Sequence, residues 1–100
     1  MYNPKNLTKF HTLAELAPEA FKAFAAFDAA AVKAGAIPVK YKELIAVAVA
    51  RTTQCPYCID IHARKAKEAG ATEREIAETT LVAAALRAGG AMTHGTHALE

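Results

Sequence analysis

The stretch that most constrains the fold is Leu44-Ile45-Ala46-Val47-Ala48-Val49-Ala50, the longest uncharged apolar run in the chain. It is far too short to cross a bilayer. It also shows no apolar/polar alternation of the kind a half-buried strand needs. Flanked by Lys40 and Thr53, it reads as the middle of a helix that is apolar all round, and such a helix must be buried centrally or covered by neighbouring subunits. With 100 residues available, enough for one domain and one modest core, that cover comes from the rest of the chain or from neighbouring subunits.

The remaining punctuation is helical throughout. Pro18 suits a first turn, so a helix is expected from there through Phe21, Phe24, Ala25 and Ala31 to Lys33, stopping before Gly35, with a shorter helix before it around Leu7 to Leu16. The stripe Phe21, Phe24 and Phe27 reads as core packing. Ile37-Pro38 forces an extended residue, after which the apolar helix runs from about Lys40 to Thr53. A third helix starts with Cys55 near the cap and Pro56 at the first position, and ends at Ala69-Gly70. Thr72 and Glu75 form a capping box for a fourth, which is expected to stop at Gly89-Gly90 and leave residues 89–100 as a tail. The fold class is therefore all-α, a single domain with its core at about 18–88.

Composition narrows the function classes. Alanine makes up a quarter of the chain and 53% of residues are hydrophobic, leaving more apolar surface than a small monomer hides, so a homo-oligomer is expected. The net charge of +2 comes from interleaved cations and anions, which gives no stripe for nucleic acid. Met1-Tyr2-Asn3-Pro4-Lys5 has no apolar region behind it, so a cytoplasmic protein without a membrane segment is expected. The two cysteines form one CxxC, a redox or metal pair in a reducing compartment.

A cysteine reacts as its thiolate, and the positive end of a helix dipole favours that form. Cys58 and His62 are four residues apart and share a face with Ile59, Ala63, Ala66 and Ala69, while Asp60, Arg64, Lys67 and Glu68 lie opposite. A histidine one turn from a thiol can take its proton or hold the thiolate as an ion pair. This predicts a low pKa for Cys58, with Cys55 one turn away to close a disulfide. Half of a zinc site is an alternative, but His62 brings the close ligands only to three, since His94 and His97 lie in the distant tail. Inert buried cysteines are another. Cys-Pro-Tyr-Cys also occurs in glutaredoxins, where it follows a strand; here a buried helix precedes it, so the tetrapeptide carries chemistry and not fold. His11 has no partner in reach, and Tyr41 and Tyr57 flank the site region, where they would line an apolar substrate entrance.

Taken together, Glu43 to Ala50, Cys55-x-x-Cys58-x-x-x-His62, Ala66, Gly70-Ala71-Thr72 and Glu75-Ile76 resemble the alkylhydroperoxidase AhpD-like family of the carboxymuconolactone decarboxylase superfamily. The resemblance covers roughly Pro18 to Ala88. It implies an all-helical fold, homotrimers or homohexamers, and a peroxidase without metal or organic cofactor, recycled by a dithiol such as a lipoylated protein. Carried over by position, it makes Cys58 the peroxide-attacking thiol, Cys55 its disulfide partner, and His62 with Glu43 a proton relay. Tyr57 departs from the founding peroxidases, which have a histidine there and about twice this length.

Without the resemblance nothing would single out Glu43. It lies roughly 16 Å along its helix from the end near Cys55, so a simple hairpin sets it opposite Ala69. Steeply crossing helices, a relay across a subunit boundary, or simple dipole complementation at the helix start are the options. Two other function classes remain at this point: a decarboxylase-type enzyme, which needs no cysteine pair, and a redox sensor or general thiol–disulfide oxidoreductase.

Overall fold

The computed structural model describes residues 2–99, and among them the regular structure is helical. A 3-10 segment, Pro4–Lys9, leads into α1 (Phe10–Leu16), α2 (Pro18–Val32), α3 (Val39–Thr53), α4 (Pro56–Glu68) and α5 (Glu73–Gly95), with a final 3-10 turn at Thr96–Ala98. The all-α reading agrees with this order. Each boundary has a local cause. Proline opens α2 and α4 at positions whose N–H would have no partner anyway. The Lys42 ammonium reaches back to the carbonyls of Ala31 and Lys33, satisfying acceptors at the end of α2 and tying it to α3.

The turn between α3 and α4 is tight. Gln54 adopts the left-handed conformation at φ 57°, the only non-glycine among the described residues with positive φ, and the N–H of Cys55 returns to Ala50 O at 3.0 Å. At the other end of α4, Gly70 (φ 100°) does the same with its own freedom, and the Ala71 N–H closes on Ala66 O at 2.8 Å. The capping box of α5 is present in both directions, Glu75 N–H to Thr72 Oγ1 at 3.1 Å and Thr72 N–H to Glu75 Oε1 at 2.9 Å.

Burial concentrates in the α3–α4 hairpin and the start of α5. Leu44, Val47, Ala50, Ala66, Ala71 and Ala83 are the buried hydrophobics, with Val47 and Ala66 wholly covered. The run in α3 is not covered all round in the lone chain, because Ile45 and Val49 stay about half exposed, at 50% and 54%. The phenylalanine stripe is likewise not core: Phe24 and Phe27 are 61% and 72% exposed, and only Phe21 is part-covered, its ring 6.1 Å from Phe10.

The expected stop at Gly89-Gly90 also fails, since α5 runs on to Gly95. A glycine inside a helix costs only about 1 kcal/mol, and neither of these two takes the positive φ that ends α4 at Gly70. Ala84, Ala85, Ala88 and Ala91 around them favour continuation. His94 and His97 are thereby on helical backbone with ring centroids 5.5 Å apart, yet among the described residues no three His, Cys, Asp or Glu gather to hold a metal. No helix among them is long and apolar enough to cross a membrane.

Candidate active site

Cys55 is the N-cap of α4. Its extended backbone (φ −101°, ψ 95°) turns its Sγ back over the helix start, where it accepts the N–H of Cys58 at 3.2 Å. Both cysteines are free and half-buried. That geometry orders their acidity. The Cys58 thiol and then the Cys58 N–H, both donating to Cys55 Sγ, hold the Cys55 thiol below its usual pKa. The hydrogen bond to Cys55, followed by burial and by the negative charge of Cys55, pushes Cys58 up to about 11. The sequence reading placed the low pKa on Cys58. The helix start acts instead on the residue that caps it, and the capping sulfur belongs to Cys55.

His62 sits one turn beyond Cys58 on the same face, and its Nδ1 lies 2.6 Å from Oε2 of Glu43. The Glu43 side chain is 3% exposed and that of His62 17%, so this polar pair is shielded from water. With Glu43 ionised, Nδ1–H donates to the carboxylate and Nε2 is left as the acceptor. The contact forms within one chain. With α3 ending at Thr53 and α4 opening at Pro56, the hairpin sets the fully covered Ala66, not Ala69, nearest Glu43, and the Glu43 carboxylate reaches His62 one turn closer to the cysteines. Glu43 also lies past the first turn of α3, which carries no acidic residue, so it is not there to complement the dipole.

Cys55, Cys58 and His62 open onto one cavity of about 550 Å³, a volume suited to a small organic ligand. Its walls include Tyr57 and Ile61 of α4, Phe24 and Asp28 of α2, and Leu7 of the 3-10 segment. Tyr57 therefore stands where the sequence placed it, but Tyr41 does not: it is 47% exposed and lines a separate depression with Leu44 and Ile45. Sequence reasoning missed the residues of α2 and the N-terminal segment. Asp28, a lone carboxylate in a run of alanines and phenylalanines, was the one visible signal in α2; Asn3-Pro4, a cap followed by a first-turn proline, was the signal near the start.

The pattern of the carboxymuconolactone decarboxylase family, which includes the AhpD-like proteins, matches residues 18–100. The chain belongs to that family. Among its relatives, "Uncharacterized protein 4 in cox locus" of Paracoccus denitrificans is 47% identical over 77 residues, covering 77% of this chain and 69% of its own length. An uncharacterised Haemophilus influenzae protein is 44% identical over 91 residues, covering 91% of this chain and 80% of its own. A crystal structure of a Methanobacterium thermoautotrophicum protein superposes with a TM-score of 0.82 at 38% identity, covering 88% of this chain and 99% of that one. Decarboxylases and alkylhydroperoxidases both occur in the carboxymuconolactone decarboxylase family, so membership leaves the reaction to be argued from the site.

Proposed function

We propose that this chain is a thiol-dependent hydroperoxide reductase that cycles Cys55 and Cys58 between dithiol and disulfide. The observation that carries the reading is the shared cavity, where two free thiols linked at a helix start meet a histidine held by a buried carboxylate. Decarboxylation would leave the cysteine pair without work.

In this cycle Cys58 loses its proton to Nε2 of His62 and attacks the terminal oxygen of ROOH. The O–O bond breaks, RO⁻ takes the proton from His62 and leaves as the alcohol, and Cys58 becomes a sulfenic acid. Cys55, the more acidic thiol, gives its proton to solvent and attacks the Cys58 sulfur as thiolate; the S–O bond breaks, and the hydroxide takes up a proton from solvent and leaves as water. An external dithiol such as a lipoyl group reduces the resulting disulfide and is itself oxidised to its disulfide. Glu43 holds the His62 tautomer through both proton transfers. The high pKa of Cys58 beside Cys55 makes that first proton transfer the step that most needs His62.

A second reading has its own support: a cap-stabilised thiolate at Cys55 is the arrangement that initiates thiol–disulfide exchange, which would make this chain an oxidoreductase or redox sensor without peroxide. We further propose assembly into homotrimers or homohexamers. The accessible surface is 7711 Å², against about 5,500 Å² for a compact monomer of this mass. The radius of gyration is 16.5 Å, against about 13 Å for a compact chain of this length.

The deciding experiment is intact mass and free-thiol count before and after one equivalent of hydroperoxide. Loss of two thiols as an intramolecular disulfide in the wild type, and not in Cys58→Ser, is the expected result. Thiols that survive peroxide but are consumed by an added disulfide would transfer the assignment to the exchange reading.

A further inference from the structure

The family match begins at residue 18, yet the cysteine cavity is completed from before it. Asn6 and Leu7 of the 3-10 segment and Phe10 at the start of α1 line the cavity together with both cysteines. Prominent among what holds this segment in place is Tyr57, one of the two residues between the cysteines. Its hydroxyl accepts the backbone N–H of Asn3 and the side-chain amide of Asn6, each at 2.9 Å. The Tyr2 ring meets the Tyr57 ring edge-on at 4.8 Å, and the Tyr2 hydroxyl reaches Asp60 Oδ2 at 3.5 Å. No residue of Pro4–Lys9 is buried, so polar and ring contacts such as these, and not a core of its own, keep the segment docked.

We propose that residues 2–10 form a specificity wall over the active-site cysteines, with Tyr57 as the positioning residue that pins it. Docked, Leu7 and Phe10 line the cavity together with Phe24 and Ile61 and offer an apolar surface to the organic part of a hydroperoxide, in the cavity that holds the sulfur that attacks its oxygen. Released, the same cysteines meet oxidants without that discrimination. The proposal gives a function to the tyrosine that stands where the founding peroxidases carry histidine: its hydroxyl extends past the helix end to engage a segment outside the matched region. It rests on the hydroperoxide-reductase reading for its substrate, while the geometry it invokes concerns access to the thiols.

Two variants of the full-length protein test it, Tyr57→Phe with Asn6→Ala for the pin and Leu7→Ala for the wall. Each is assayed with cumene hydroperoxide and with hydrogen peroxide under a dithiol reductant. The ratio of kcat/KM for the larger peroxide over the smaller is expected to fall about fivefold in either variant, with the loss in KM for cumene hydroperoxide. Trypsin should cleave after Lys5 and Lys9 faster in the pin variant and at the wild-type rate in Leu7→Ala. A parallel readout needs no peroxide chemistry: the labelling rate of the reduced thiols by N-phenylmaleimide relative to iodoacetamide should fall in both variants.

If no peroxide oxidises the protein but the labelling ratio falls, the reductase reading is lost and the wall stands. An unchanged peroxide ratio and labelling ratio in Leu7→Ala would overturn the wall. Unchanged trypsin resistance in the pin variant would overturn the role of Tyr57.

Discussion

The α3–α4 hairpin and the α5 helix are built from similar sequence, alanine-rich and studded with aliphatics, but they reach opposite ends. In the hairpin, Glu43, Leu44, Val47, Ala50 and Ala66 are all buried. In α5 only Ala83 is, and Leu81, Val82 and Leu86 are 70%, 59% and 69% exposed. Together with Ile45 and Val49 of α3, those side chains leave apolar surface uncovered in one chain. The difference teaches that one chain alone brings Glu43, His62 and the cysteines together, whereas it leaves the aliphatic side chains of its outer helices bare.

Breaking one side should leave the other standing. The largest effect is expected from Leu81→Glu with Leu86→Glu, which places two charges on the exposed apolar face. Light scattering should show a multiple of the 10.6 kDa chain in the wild type and a monomer in the variant, while the free-thiol count stays at two. A wild type that is itself monomeric would remove the contrast drawn here.

On the other side, Glu43→Ala leaves the His62 Nδ1–H without its shielded partner, and a destabilisation of about 1–3 kcal/mol in chemical denaturation is expected. Turnover should drop with it, and Glu43→Gln, which keeps an acceptor but no charge, should recover stability more than rate. Equal recovery of both would reduce Glu43 to a packing residue.

The smallest and sharpest test is the order of ionisation. Thiolate absorbance should rise in two steps, one equivalent below the ordinary cysteine pKa from Cys55 and the second around 11 from Cys58. In Cys55→Ser the Cys58 step should move down toward the ordinary value, because Cys55 is the largest cause of its elevation. A single step at the ordinary value in the wild type would mean that the Cys58 thiol and N–H do not hold the Cys55 sulfur in solution.

Much of this hairpin could be read from the chain. Proline, glycine and the Thr72/Glu75 pair mark helix ends by local rules, and a four-residue spacing places Cys58 and His62 on one face whatever the tertiary structure. Glu43 is different: its contact with His62 depends on how α4 packs back on α3, which no local periodicity encodes, so only the resemblance pointed to it. The cavity wall was harder still, because Asn6 and Tyr57 are 51 residues apart and meet through tertiary contact alone. The phenylalanines of α2 and the glycine pair of α5 misled for a shared reason. Period and composition report what a helix is able to cover or to end on, not whether a neighbour arrives to make it do so.

The sulfur that caps α4 is also the one the proposed cycle spends. While Cys55 is reduced, its Sγ receives the N–H of Cys58 at the positive end of the helix, which favours its thiolate form; as one half of a disulfide it has no charge to offer. Fold and redox couple are then linked through a single atom. Whatever strengthens the cap, from a straighter first turn to a better-placed N–H, stabilises the dithiol form and makes the disulfide a stronger oxidant. In the proposed cycle each oxidation would withdraw that charge from the opening turn of α4, the turn that presents Tyr57.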